Sequence, residues 1–493
     1  MQLLRRIFGI RKGELTKVAG MFFFFFLIIA SYWFLKPLRS LVTVEKLGAD
    51  SIRELKVLTA FVSAGVVVAY SLALTRFSRE RLTLLVVGAF FWAFLLFAAA
   101  FAWLDYSNIV YYCFYIVIDL FITVNLSVFW AFLADITDAA SARRLYGLIG
   151  AGGVIGGFFG SAMCNRMVDR VTPSEMILYV ALAYLLVPVT VLIVSRRVRR
   201  LPEVAQGVIA RAGRSRLEDA LAGFRVVVSS RYFLGICFVL GCYELLSAVN
   251  DFSFHKAVEL SFRSEGGALS LLGTALDGFD QFTGLDLTKL LDRLGWNVTG
   301  GSMGSFFSGF FLAMNLVALV VQVLLTSLVI RRAGLTAGLL VLPLTLVGLS
   351  AGFFALPVLG LVELLFLADN SLNYSMNQTS RELLFVPVRR EEKYRALAFV
   401  DMFVLRAAKA TAGFLLLLLP LVLEALGGVG MDDADISSLR WYMLLTVPLG
   451  IAWSVVAVFL GRGFRQLTAR PAPSGGDAVR ADVQPGAPME GTE

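Results

Sequence analysis

NYSMNQTSRELLFVPVRREEKYRALAFVDMFVLRAAKATAG, residues 373–413, is a polar, charged stretch between two apolar runs, 356–367 and 414–423. The charges continue past the polar centre. Asp401, Arg406 and Lys409 fall inside a segment that otherwise favours lipid. A charge at bilayer depth costs about 3 kcal/mol or more, so it faces a cavity or a partner and marks a substrate or ion path. Arg406 and Lys409 are three apart and therefore share a helical face. Two cations on one face inside a membrane call for an anion, supplied either by carboxylates on neighbouring helices or by a substrate.

The rest of the chain fits that setting. Its 493 residues are 58% hydrophobic and include 41 phenylalanines, and the mean hydropathy is +0.78. No soluble domain has this composition, and the fold class read from it is an all-α polytopic membrane protein. Cys113, Cys164, Cys237 and Cys242 lie in apolar runs without a CxxC pair and read as small core residues. There is one histidine, His255, and no GxxxxGK[ST] motif, so neither a metal, a cofactor nor an enzymatic activity is expected. A net charge of +8 is ordinary when cytoplasmic loops carry the Lys and Arg, and gives no reason to expect nucleic acid.

Runs of about 20 apolar residues can span a bilayer. They fall at 18–43, 56–76, 82–104, 108–133, 145–165, 174–195, 231–253, 304–330, 334–355, 356–379, 396–425 and 440–461. Basic residues crowd alternate loops: Arg79 and Arg81, Arg143 and Arg144, Arg331 and Arg332, Arg389 and Arg390. This alternation predicts both termini in the cytoplasm. The continuous run after a basic amphipathic start (1–17) reads as a retained helix, not a cleaved signal. The longest basic loop, 196–230, divides the helices six and six. The expected plan is therefore twelve transmembrane helices in two six-helix halves, major-facilitator-like: 1–195, a linker 196–230, and 231–465. An outer insertion at 256–303 is expected to lie on the surface, and the tail 466–493, rich in Pro, Gly and Ala, to be disordered.

Polar residues at membrane depth mark the candidate site. Lys36 and Arg39 share a face of the first segment, with Pro37 between them expected to bend it. Asp119 and Asn125 lie in the fourth, Glu244 and Asp251 in the seventh. Asp369, Asn370, Asn373 and Asn377 form a polar stripe in the tenth, followed by Arg381 and Glu382. Mixed cations and carboxylates suit an anionic substrate held behind ion-pair gates, although a set of structural salt bridges would show the same residues. GLIGAGGVIGGFFG, residues 147–160, carries small residues at i, i+4 spacing and predicts close helix packing.

Four segments resemble the ATP/ADP translocase (nucleotide transporter) family of plastids and obligate intracellular bacteria. They are IFGIRKGELTKVAGMFFFFFLIIASYWFLKPLRS (7–40), NLSVFWAFLADITDAASARRLYGLIGAGGVIGG (125–157), NDFSFHKAVEL (250–260) and the opening stretch, 373–413. The resemblance spans residues 7 to about 460. It places Arg39 at the functional lysine of the family's first helix and Lys36 at the arginine before it, with Pro37 and Ser40 where the family has acids. Asp119 falls near the glutamate of the fourth helix, Glu382, after Arg381, matches a further glutamate, and Arg406 and Lys409 match the basic pair of the eleventh. The resemblance implies a secondary transporter of nucleotides or related phosphorylated metabolites, working by alternating access with exchange or proton coupling. It also implies a monomer in a bacterial inner membrane, its partners a small anionic substrate and the lipid bilayer. The expected substrate-binding set is Lys36, Arg39, Asp119, Asn125, Glu244, Asn373, Arg381, Glu382, Arg406 and Lys409. Two other readings stay open: a permease for another organic anion or drug, and a non-transporting scaffold or sensor. Against a generic facilitator, the loop LTRFSRERL (74–82) lacks Gly-x-x-x-Asp-Arg.

Overall fold

The computed structural model describes residues 14–104, 107–137, 139–197, 216–263, 289, 301–388, 390–425 and 435–469. Regular structure among them is helical throughout. Helix α1 (Leu15–Val42) continues through a π turn, Thr43–Leu47, and runs through Pro37 unbroken. It is followed by α2 (Ser51–Arg76), α3 (Arg79–Trp103), α4 (Asn108–Asp135) and α5 (Ala139–Met167). Helix α6 comes in two pieces, Pro173–Tyr184 and Leu186–Arg197. Pro188 explains the break, because its ring collides with the carbonyl four residues earlier, at Tyr184. A capping box starts α6, with Thr172 and Glu175 satisfying each other's backbone amides.

After α7 (Arg216–Ser229) comes α8 (Arg231–Arg263), then α9 (Met303–Val320 with a π turn, Val321–Thr326) and α10 (Ser327–Ala355). Gly334, at φ +82°, interrupts α10, a conformation a Cβ would oppose. Helix α11 joins Leu359–Leu372 to Gln378–Leu384 through a π turn at Asn373–Asn377. Helix α12 joins Arg390–Phe399 to Leu405–Ala425 through another at Val400–Val404. Helix α13 (Met443–Ala469) closes the bundle.

Among the described residues, ten helices are long and apolar enough to cross a membrane, and the chain is an integral membrane protein. The other two apolar runs form α2 and α11. Large apolar side chains such as Leu96 and Val455 remain exposed on the outside of the bundle, as lipid-facing residues do.

Glycine sets the closest helix pair. A Cβ at Gly152, Gly156 or Gly160 would run into the backbone of α1 at Phe22, Phe26 or Ala30. Close approach of α1 and α5 rests on these small residues, as the 147–160 pattern predicts. The same core extends to where Phe254 of α8 stacks on Phe366 of α11, 4.2 Å between ring centroids.

Two expectations change. The predicted insertion 256–303 does not begin at 256, because α8 continues to Arg263. Lys256 and Glu259 are buried there, at 4% and 3% exposure. Ion pairing explains the extension: Lys256 Nζ lies 2.5 Å from Asp50 and 3.4 Å from Glu259, so the charges are matched and can stay helical inside the protein. Residues 264–288 and 290–300 lie outside the described residues, as does the tail from 470. The second half of the predicted linker 196–230 is α7, packed on the start of α12 with Phe224 and Phe399 5.6 Å apart.

Candidate functional site: a cationic central cavity

Eight helices (α1, α2, α4, α5, α8, α9, α11 and α12) surround a cavity of about 730 Å³. Among the described residues, six basic side chains line it, Lys36, Arg39, Lys56, Arg381, Arg406 and Lys409, and three acids face them, Asp119, Glu244 and Asp251.

Each acid takes a cation from another helix. Arg39 of α1 pairs with Asp119 of α4, and its guanidinium lies 4.3 Å from the centre of the Tyr115 ring. Lys56 of α2 meets Asp251 of α8 at 2.6 Å. Lys409 of α12 stands 3.9 Å from Glu244 of α8, on the long side for an ion pair, with its side chain 45% exposed. Arg406, one turn earlier on the same face, donates to Ser63 Oγ of α2 at 3.2 Å.

Lys36 differs from all of these. It is 6% exposed, and among the described residues it forms no ion pair. Aromatic rings hold it instead: its Nζ is 4.5 Å from the Trp33 ring centre, 4.9 Å from Phe311 and 5.9 Å from Tyr32. Ring quadrupoles offset part of the cost of burying an ammonium, but they do not neutralise it. The cavity thus holds a desolvated positive charge with room for an anion beside it.

Asn373 lines the cavity from the π turn of α11, its Oδ1 accepting from Asn377 Nδ2 at 2.9 Å. A π turn inserts an extra residue into the helix and re-aims the side chains that follow, a device common at functional sites. The α12 π turn, just before Arg406, stands in the same relation to the cavity.

Eight of the ten residues singled out from the sequence line this space, and two do not. Asn125 is fully buried away from it, donating to Phe121 O at 2.9 Å and accepting from the Tyr184 hydroxyl of α6. It satisfies a polar contact between α4 and α6. Glu382 is exposed and absent from the lining, while its neighbour Arg381 is present. In turn, Lys56 escaped the sequence reading as a site residue. It lies in a run of mixed charges, 53–56, that looks like a headgroup-level loop. The structure starts α2 at Ser51 and so carries Lys56 more than a turn into the helix.

The family model described as "TLC ATP/ADP transporter" matches residues 1–104 and 100–273, together more than half of the chain. The chain belongs to the TLC ATP/ADP transporter family. The family is one of transporters, not enzymes. ADP,ATP carrier protein 1 of Chlamydia muridarum is 23% identical over 453 residues, covering 82% of this chain and 82% of that protein. Among solved structures, a POT family transporter in complex with 5-aminolevulinic acid superposes with a TM-score of 0.59 at 11% identity, covering 92% of this chain and 96% of that one. The nucleoside transporter NupG superposes at 0.54 and 12%, covering 92% and 99%. At such identities these neighbours show the fold alone, an all-helical, major-facilitator-like transporter fold. TLC family membership and the charged cavity thus meet in one molecule.

Proposed function

We propose that this TLC family member is a secondary transporter that carries nucleotides, or closely related phosphorylated metabolites, through the central cavity by alternating access. Lys36, buried without an ion pair among the described residues in a cavity lined by five further basic side chains, carries the reading. A di- or triphosphate brings several negative charges to such a cluster, where a carboxylate brings one. Arg side chains can grip phosphate with two parallel hydrogen bonds, and Lys adds a point charge. The ADP,ATP carrier names of the relatives agree with this substrate class. Lys36, Arg39, Arg381, Arg406 and Lys409 would contact phosphate, with Lys56 added to the set. Asp119, Glu244 and Asp251 would hold the cations while the site is empty, and Asn373 would contact the nucleoside part.

The same reading gives the arrangement in the membrane: twelve spans in two halves, a monomer in a bacterial inner membrane, both termini and the 196–230 linker in the cytoplasm. Polar contacts between the halves gather at the end that this topology puts outside. Lys256 reaches Asp50, Glu259 accepts from the Ala49 amide at 3.2 Å, Ser40 and His255 share a 2.9 Å hydrogen bond, and Asn165 bridges to Ser308 at 3.0 Å. Among the described residues, the opposite end has bonds within a half, as with Arg79–Asp135 at 3.1 Å and Tyr232 to Leu384 O at 2.8 Å. Such an arrangement is inward-facing, closed outside by the Asp50–Lys256–Glu259 cluster.

A thermal-shift screen of the purified protein tests the function. Ligand that binds the folded state alone raises the melting temperature by mass action. Nucleoside di- and triphosphates should stabilise it and simple carboxylates should not; stabilisation by carboxylates or drugs only would refute the reading.

Two variant sets follow. Arg406→Gln and Lys409→Gln should each weaken nucleotide binding by about 2 kcal/mol, the scale of a desolvated charge contact. Arg406→Lys should lose affinity too, because the fork is gone. Calorimetric titration of each variant against the wild type checks this, and unchanged affinities would remove both residues from the site. At the outer cluster, Asp50→Lys and Lys256→Asp should each lower the melting temperature, because like charges then face each other. The double exchange should recover part of the loss, since Glu259 and Arg53 still meet reversed charges. If the double variant melts no higher than the worse single one, the two side chains are not a pair.

A further inference from the structure

Beside the cavity, and reached from it through Ser247, lies a second polar cluster with no part in the cation pairing. Asp369 of α11 is 0% exposed. Neither carboxyl oxygen has a hydrogen-bond partner, and among the described residues no basic side chain pairs with it. Ser247 and Asn250 flank it from α8. Asn250 is itself 0% exposed, and both its amide nitrogen and its amide oxygen lack partners. Ser253, one turn beyond Asn250, is buried with an unpartnered hydroxyl. Residues 247, 250 and 253 are spaced by three and present one helical face.

A buried carboxylate with no cation, and with only the Ser247 hydroxyl and the Asn250 amide as facing donors, is costly to hold. A buried amide that satisfies neither of its ends adds to that cost. Their coincidence on facing helices points to something that neutralises the acid. We propose that Asp369 is a proton-binding site, with Ser247 and Asn250 as the groups that receive its carboxylate when the proton leaves. A proton needs no coordination shell, whereas a metal cation would need several oxygens drawn around it. Uptake forms one O–H bond on the carboxyl from cavity water, and release returns the proton to that water; no other bond changes. Ser247 supplies the route, since it flanks Asp369 and also lines the cavity.

The site is placed to communicate with substrate. Helix α8 carries Glu244 and Asp251 on either side of Ser247 and Asn250, and these two acids hold Lys409 and Lys56. Helix α11 adds Tyr374 and the buried Glu363, and α8 adds Tyr243. A negative charge appearing on Asp369 repels Glu244 and Asp251 and competes for their lysines, which are the cations assigned to phosphate. Proton release and substrate release thereby become linked. The linkage rests on the transport reading; the proton site itself does not.

Infrared titration of the purified full-length protein tests the site without any substrate. The carbonyl stretch of a protonated carboxyl should be present in the wild type at low pH and be lost as the pH is raised. It should be missing in Asp369→Asn and unaffected by sodium chloride in place of potassium chloride. Asn250→Ala keeps the acid but removes the flanking amide, and should move the titration midpoint by about one pH unit or more. In vesicles, Asp369→Asn should retain nucleotide exchange within about twofold while losing the acceleration that a proton gradient gives the wild type. A wild-type spectrum with no band assignable to Asp369 overturns the proposal. So does a band that sodium abolishes, which would make a metal cation the occupant, or an Asn250→Ala variant with an unmoved midpoint. If the wild type moves no nucleotide, the transport reading fails while the infrared result still decides the proton site.

Discussion

Lys36→Gln should weaken nucleotide binding by about 2 kcal/mol or more, roughly thirtyfold, without lowering the melting temperature. The two halves of this expectation come from one observation. Lys36 is buried among Trp33, Phe311 and Tyr32, with no ion pair among the described residues. Removing a buried charge whose partner is already in place is destabilising, because the partner is stranded. Removing one that has no partner relieves a desolvation cost. The melting temperature of the empty protein should therefore hold or rise while affinity falls. Paired measurements of melting temperature and affinity separate this from a structural role. A variant that melts well below the wild type, or one that binds nucleotide as tightly, would show that Lys36 does not face the substrate as a free cation.

The second large effect concerns folding. Gly160→Leu should cost about 3 kcal/mol, the upper range for overpacking, and should deplete folded protein. A Cβ at 160 meets the backbone of α1 at Ala30, and backbone cannot swing aside as a side chain does. Helices α1 and α5 would have to separate, and α1 carries Lys36 and Arg39. Gly147→Leu is the control, since nothing lies within 4 Å of a Cβ there. It should stay within about 0.5 kcal/mol of the wild type, as surface substitutions do. Thermal melting of both proteins in detergent decides. Equal melting temperatures would mean that the glycine face does not hold α1 against α5.

The sequence carried the helical architecture because hydrophobic runs and basic loops record the membrane directly. It carried most of the cavity for a related reason: lipid penalises charge, so a cation inside an apolar run is conspicuous. Hydropathy by itself does not record angle. Asp119 and Asn125 are six residues, about 9 Å, apart on one helix, and six residues turn a helix by about 600°, leaving the two on different faces. That arithmetic was available from spacing alone, and it separates the cavity-facing Asp119 from the Asn125 that bonds Tyr184. Glu382 is different. The π turn at Asn373–Asn377 shifts every later side chain around α11, and no residue type announces it. Lys56 was hidden by its neighbours. Arg53, Glu54 and Lys56 look like a solvated loop until the partner of Lys56, Asp251, comes from a helix nearly 200 residues away. The buried run of α8 past 256 was missed likewise, because Lys256 and Glu259 read as polar loop residues until Asp50 is beside them.

Counterflow in reconstituted vesicles tests the central claim most directly. The full chain is placed in liposomes loaded with unlabelled ATP or ADP, and labelled nucleotide is added outside. Uptake should exceed that of protein-free vesicles by about tenfold or more, should require nucleotide within, and should fall at least tenfold in Lys36→Gln. Labelled nucleotide that stays outside loaded wild-type vesicles, with a phosphate-free organic anion accumulating in its place, would contradict the account.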